Sequence, residues 1–288
     1  MKCRSSSARN FCFAMLTLLL SAYSGVSFAA PGQCGKNFSW MVDEGSLFKS
    51  TGVFPLKRQE ALLDQRCSFL IVGDQPSAQY AGWWAMKARS IKSISTIEAD
   101  AANGNVQALV YDPEVWSFTP VLEQQHPAEA TCAAANVAHA HGKLLVAAPG
   151  IDLARVLNPR GASQSGQYVA FTQSGVAGPI AKCADIYEIQ AQSLEGDAKA
   201  FQSFVSTIAL QARAANPHIV IMVGLSTNPP GVSGLTPQTL LDAVKAVAGV
   251  TDGFWLNIPS PGALCPNCGP SNPALAQQLL EQLPTSSN

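Results

Sequence analysis

Two acids two positions apart, Asp112 and Glu114, follow a short apolar run at 106–111 (VQALVY). Side chains alternate along a strand, so Ala108, Val110, Asp112 and Glu114 share one face if the extended backbone continues through Pro113. Such a strand delivers two carboxyls to its carboxyl end, where one can protonate a leaving group while the other tunes its proton affinity. If Asp112-Pro113 instead opens an ordinary turn, Glu114 is simply solvated. A second row lies within 184–192, where Glu188, Gln190 and Gln192 alternate with Ile189 and Ala191. Long polar side chains on an apolar strand are costly to bury unless they are bonded to one another or bind something.

Other apolar runs end in the same chemistry. Asp74 closes one, Asn228 follows Ser226 and Thr227 on another, and Asn257 sits beside Trp255 on the last. Carboxylates, amides and indoles together are the inventory of a sugar site, in which amides bond hydroxyls and aromatic faces stack on C–H groups. The expected catalytic set is therefore Glu114 as general acid, Asp112 beside it and Glu188 as second carboxylate. The expected binding set is Gln190, Gln192, Asn257, Trp255, Trp116, Asp74 and Asn228. Each Trp has a packing role open to it as well. No Gly-x-Ser-x-Gly elbow offers a competing nucleophile, although GASQSG at 161–166 comes near it.

These residues need a frame that brings strand ends together. Apolar runs at 68–74, 106–111, 143–149, 184–192, 218–227 and 253–259 alternate with helical patterns at 93–102, 127–141, 169–181, 197–215, 237–248 and 273–283. A first strand is expected near 38–42 and another over 80–87, with 158–167, rich in Gly and Ser, as a loop over the rim. Repeated strand–helix units give a parallel sheet, either open and doubly wound or closed into a barrel. The number of strands, and the absence of Gly-x-Gly-x-x-Gly after any of them, favour an α/β fold with a single (β/α)8 (TIM) barrel behind an irregular amino-terminal portion.

Lys2, Arg4 and Arg9 precede an apolar run and the small-residue site Ser27-Phe28-Ala29, the pattern of a secretory signal over 1–29. The barrel domain then occupies 30–288, and a secreted or periplasmic location is expected. The formal net charge of −1 and a charged fraction of 13% argue against nucleic acid and against a charged membrane surface. They suit a neutral polysaccharide or oligosaccharide as partner, bound by a monomer without a cofactor. Six cysteines follow residue 29, and in an exported chain they read first as disulfides, with Cys34–Cys67 and Cys265–Cys268 among the candidate pairs. Cys265-Pro-Asn-Cys268 also has the form of half a zinc site or a redox pair. No second Cys-x-x-Cys exists, and His139 and His141 face different ways on a helix, so no metal is expected. Asn37-Phe38-Ser39 is a glycosylation sequon.

The apolar strand with Asp112-x-Glu114, a later strand carrying Tyr187 and polar rim residues, and a last strand with Trp255 together resemble the chitinase-type family 18 glycoside hydrolases. That resemblance implies a (β/α) barrel whose Asp-x-x-Asp-x-Asp-x-Glu strand supplies the general acid as its final Glu, here Glu114. Gln107 and Val110 stand where the family has its first two aspartates. The expectation is a secreted glycoside hydrolase-like enzyme, with a non-catalytic glycan-binding barrel as the alternative.

Overall fold

A computed structural model describes residues 39–65, 67–262 and 269–283. Eight parallel strands pair in chain order and β8 returns to β1, closing a barrel. The strands are β1 (Ser39–Asp43), β2 (Phe69–Ile71), β3 (Met86–Ile91), β4 (Ala108–Tyr111), β5 (Leu144–Ala147), β6 (Ile186–Ile189), β7 (Val220–Ser226) and β8 (Gly253–Asn257). Helices follow the strands on the outside, the longest being Ala198–Ala215. The expected (β/α)8 barrel is the fold. The signal segment 1–29, the sequon at Asn37, and Cys34, Cys265 and Cys268 lie outside the described residues.

The period-two pattern divides each strand between two cores. Met41, Phe69, Met86, Ala88, Val110 and Val146 are among the side chains that fill the barrel interior, while Leu109, Tyr111 and Leu145 pack outward beneath the helices. The outward set explains the helical spacing: Phe201, Phe204, Val205, Ile208, Ala209 and Ala212 form one buried stripe of the helix Ala198–Ala215. Asp197 starts that helix by accepting from the backbone N–H groups of Lys199 and Ala200. A disulfide joins Cys132, on the helix Pro127–Ala140, to Cys183, just after the helix Ala177–Ala181. Cys67 is also disulfide-bonded. No helix among the described residues is long and apolar enough to cross a membrane.

Three local expectations need correction. The aromatic stretch at 80–87 is not a strand: a single helical turn, Ala78–Tyr80, precedes β3, which begins only at Met86. Tyr80 stacks edge-on against Trp83 with centroids 5.0 Å apart and donates to Gln59 Oε1 at 2.9 Å, so its apolarity serves a plug at the barrel's side. The segment expected as a loop at 158–167 contains the helix Pro159–Ser165, because Asn158 caps it at the Gly161 N–H and Pro159 occupies its first turn. The expected helix at 169–181 is two, Gln167–Ser174 and Ala177–Ala181, parted at Gly175, whose φ of 67° is left-handed.

Candidate functional site

β4 ends at Tyr111, yet its extended course continues. The Ala148 N–H donates to Tyr111 O at 2.8 Å and the Gly150 N–H to Pro113 O at 2.9 Å, so β5 accompanies the chain past Pro113. Asp112 and Glu114 thus follow Ala108 and Val110 on the inward face, and both carboxyls border a cavity of about 410 Å³ at the barrel mouth. The loop beyond them is pinned by Thr119, whose Oγ1 accepts from the Glu114 N–H at 3.3 Å and from Trp116 Nε1 at 2.7 Å. Gln124 Nε2 adds bonds to Trp116 O and Thr119 O.

β6 supplies the next part of the wall. Ile186 lies in the interior core, and at successive alternate positions Glu188 is sealed below while Gln190 and Gln192 border the cavity. Gln190 Nε2 donates to Asp112 Oδ1 at 3.0 Å, to Ala148 O at 3.2 Å and, at 3.5 Å, to Glu114 Oε1. One amide therefore orients both acids. β8 contributes Trp255 and Asn257, and β7 contributes Ser226.

A third acid, absent from the expected set, completes the cluster. Asp152 sits on the helical turn Ile151–Leu153 after β5, accepts from the Val115 N–H at 3.0 Å through Oδ2, and borders the same cavity. Its Oδ1 is buried without a hydrogen-bond partner among the described residues. Glycine at 150 permits this approach, because a Cβ there would lie 2.7 Å from both Asp152 Oδ1 and Glu114 Cγ. Tyr168 and Gln167, from the helix Gln167–Ser174, and Pro230, from the loop after β7, close the sides. These were not legible as site residues because none sits on a strand end.

Crowding of acids in a half-dry cup raises their proton affinities. Burial and then the neighbouring Asp152 push Glu114 up to about 7, with Gln190 and Lys92 opposing. Burial and the Glu114 carboxyl hold Asp112 well above the ordinary range, and burial raises Asp152. Glu188 is fully buried, and neither of its oxygens finds a hydrogen-bond partner among the described residues. Burial, then Asp112 and Glu114, raise it well above the usual carboxylate range, which favours its neutral form. Its carboxyl and the Gln192 amide lie side by side over Gly224, where a Cβ would come within 2.5 Å of Glu188 Oε1.

Of the ten residues expected to act, six surround the cavity: Asp112, Glu114, Gln190, Gln192, Trp255 and Asn257. Glu188 lies under its floor. The other three do not line this cavity. Asp74 is exposed and pairs with Arg89, because β2 stops at Ile71 and the chain has turned outward by then. Asn228 is half-buried and ties the segment after β8 by donating to Gly269 O at 2.7 Å and Pro270 O at 3.1 Å. Trp116 points its Nε1 at Thr119 and stands edge-on to Phe118, off the cavity wall. No group of three His, Cys, Asp or Glu residues among the described residues is placed to hold a metal ion.

No family model and no curated protein matches the chain. Among solved structures it is similar to triosephosphate isomerase from Bartonella henselae, at 10% identity and a TM-score of 0.44 over 76% of this chain and 91% of that one. It is also similar to the carboxyl transferase domain of Rhizobium etli pyruvate carboxylase, at 12% identity and a TM-score of 0.48 over 89% of this chain and 46% of that one. A third is a curdlan-specific exo-β-1,3-glucanase of family GH128, subgroup III, from Blastomyces gilchristii, at 12% identity and a TM-score of 0.48 over 86% and 99%. These likenesses are of the barrel as a whole and carry over no residue's role.

Proposed function

We propose that the protein is an exported glycoside hydrolase-like enzyme that acts on a neutral saccharide unit seated in the cup at the barrel mouth. The observation that carries this reading is Glu114, a carboxyl pushed up to about 7 by burial and by Asp152, on the wall of a cavity that also presents Asp112 and Asp152, amides, hydroxyls and an indole. A carboxyl still protonated near neutrality is what the departing glycosidic oxygen needs. In this reading Glu114 donates the proton, Gln190 holds it and Asp112 in register, and Trp255 stacks on the ring. The acidic lining disfavours an anion in the cup itself.

A second carboxylate must assist, and Glu188 fills that role only if the Gln192 amide moves from over Gly224 and opens the floor. The chitinase-type likeness assigns Glu114 the same part as proton donor. Export of the chain behind a cleaved segment 1–29 belongs to the same reading, and the Cys132–Cys183 bridge suits an oxidising compartment.

The test is release of reducing ends across bacterial, fungal and plant glycans. Glu114→Gln is expected to lower kcat by about 10²–10⁴-fold while leaving the melting temperature near wild type. Turnover unchanged in that variant would remove the assignment. One observation favours the non-catalytic reading: Glu188 is closed off beneath the cup. A glycan-binding barrel would retain polysaccharide in a pull-down yet liberate no reducing sugar.

A further inference from the structure

We propose that the barrel mouth holds a second ligand position, next to the cup, for a sugar bearing an anionic substituent, with Lys92 facing the anion. The proposal rests on the saccharide reading of the cup and names the unit that lies beyond it. A hollow of about 370 Å³ opens at the end of β3, lined by Ser90 and Lys92 and by the hydroxyl residues Ser93, Ser95 and Thr96, with Phe118 and Pro120 opposite. Ser90 and Lys92 continue the alternate positions of Met86 and Ala88, whose side chains fill the barrel interior. They therefore belong to the same mouth as the acids.

Thr119 ties the two hollows together. Thr119 Oγ1 donates to Lys92 O at 2.9 Å and accepts from the Glu114 N–H at 3.3 Å, so one hydroxyl links the residue of one hollow to the acid of the other. Phe118, 48% exposed, offers a ring at the outer side. Lys92 Nζ lies 4.8 Å from the Trp116 ring centroid and 5.0 Å from that of Phe118, and no oxygen among the described residues accepts a hydrogen bond from it. Two rings thus hold an ammonium whose donors are unspent.

Charge then decides orientation. Lys92 is the one cation among the residues lining either hollow, and the cup beside it carries Asp112, Glu114 and Asp152. A saccharide with one acidic unit is repelled from the cup by that unit and attracted to the Lys92 side. The shared chemistry of the substituent is a negative charge on a sugar ring, whether carboxylate or sulfate.

The experiment is calorimetric binding to the full exported chain carrying Glu114→Gln, so that nothing is turned over. The probes are neutral gluco-oligosaccharides and counterparts of equal length that carry one glucuronate unit or one sulfated unit, at low and high salt. An acidic probe is expected to bind about tenfold more tightly than its neutral counterpart, with the advantage shrinking as salt rises. Adding Lys92→Met should erase the ratio between acidic and neutral binding, while Lys92→Arg should retain it. The carboxylate and sulfate probes separate the two sources of charge. Equal binding of neutral and acidic probes, or an acidic preference that survives Lys92→Met, overturns the second position and leaves the cup's reading intact. Absence of binding by every probe overturns both.

Discussion

Among individual residues, the contact between Glu114 and Asp152 sets what the site can do. The two side chains meet where residue 150 lacks a Cβ, and Asp152 is kept there by the Val115 N–H. Its negative charge disfavours ionisation of Glu114, so Asp152→Asn must lower the Glu114 pKa from about 7. Burial is the larger cause and persists in the variant, so the pKa stays above the ordinary carboxylate value. Activity that needs protonated Glu114 should then lose its basic limb at a correspondingly lower pH. A pH–rate profile superimposable on wild type would show that Asp152 is no part of the acid's environment. Gly150→Ala tests the same contact sterically, since a methyl group 2.7 Å from Asp152 Oδ1 and Glu114 Cγ forces one of them away. A cost of about 1–3 kcal/mol in denaturant unfolding is expected, together with a loss of turnover larger than that stability change explains. Strand alternation could place Asp112, Glu114, Gln190 and Gln192 from sequence, because a period of two needs no knowledge of neighbours. Asp152 was invisible to it: the residue lies on a helical turn, and its importance comes from what Gly150 leaves out.

For the elements, the barrel was legible because each strand–helix unit repeats a strong pattern, and errors arose where apolarity served another purpose. Tyr80 and Trp83 face each other edge-on beside the barrel and extend no ladder. The Gly- and Ser-rich stretch at 158–167 is helical because one Asn and one Pro begin it correctly, a signal that composition masks. Asp74 and Asn228 share one lesson: a polar residue after a strand reaches the mouth only if the backbone stays extended, as it does through Pro113. The Cys132–Cys183 pairing was not legible, since the two lie 51 residues apart and meet only through packing of the helices that lead to them. That bridge ties the outer layer away from the acids. The double variant Cys132→Ala, Cys183→Ala should therefore lose about 2–4 kcal/mol of stability in urea unfolding while retaining the wild-type pH–rate profile at 25 °C. A changed profile would mean that the outer layer helps to position the mouth.

Several acids of the whole molecule have raised proton affinities, and this makes a prediction about its stability. Burial holds Glu188 and Glu195 well above the ordinary carboxylate range, and burial with Glu114 does the same for Asp112. In the unfolded chain the same groups ionise near pH 4. Below that pH both states are protonated and the full stability is present. As pH rises the unfolded state releases its protons while the folded state keeps them, so stability falls, passing the Glu114 value of about 7 and continuing toward the higher values of the sealed acids. Each retained proton contributes a slope of at most about 1.4 kcal/mol per pH unit. The melting temperature should therefore be higher near pH 5 than at pH 8, and Glu188→Gln, which keeps the shape without a titrating proton, should flatten that decline. Parallel wild-type and variant curves would mean that Glu188 is ionised in the fold, although neither of its oxygens has a hydrogen-bond partner among the described residues. The result also bears on chemistry. A Glu188 that stays protonated at neutral pH cannot act as base or nucleophile while Gln192 seals it in, so a flattened curve together with full turnover in Glu188→Gln would transfer the second carboxylate's part to Asp112 or Asp152.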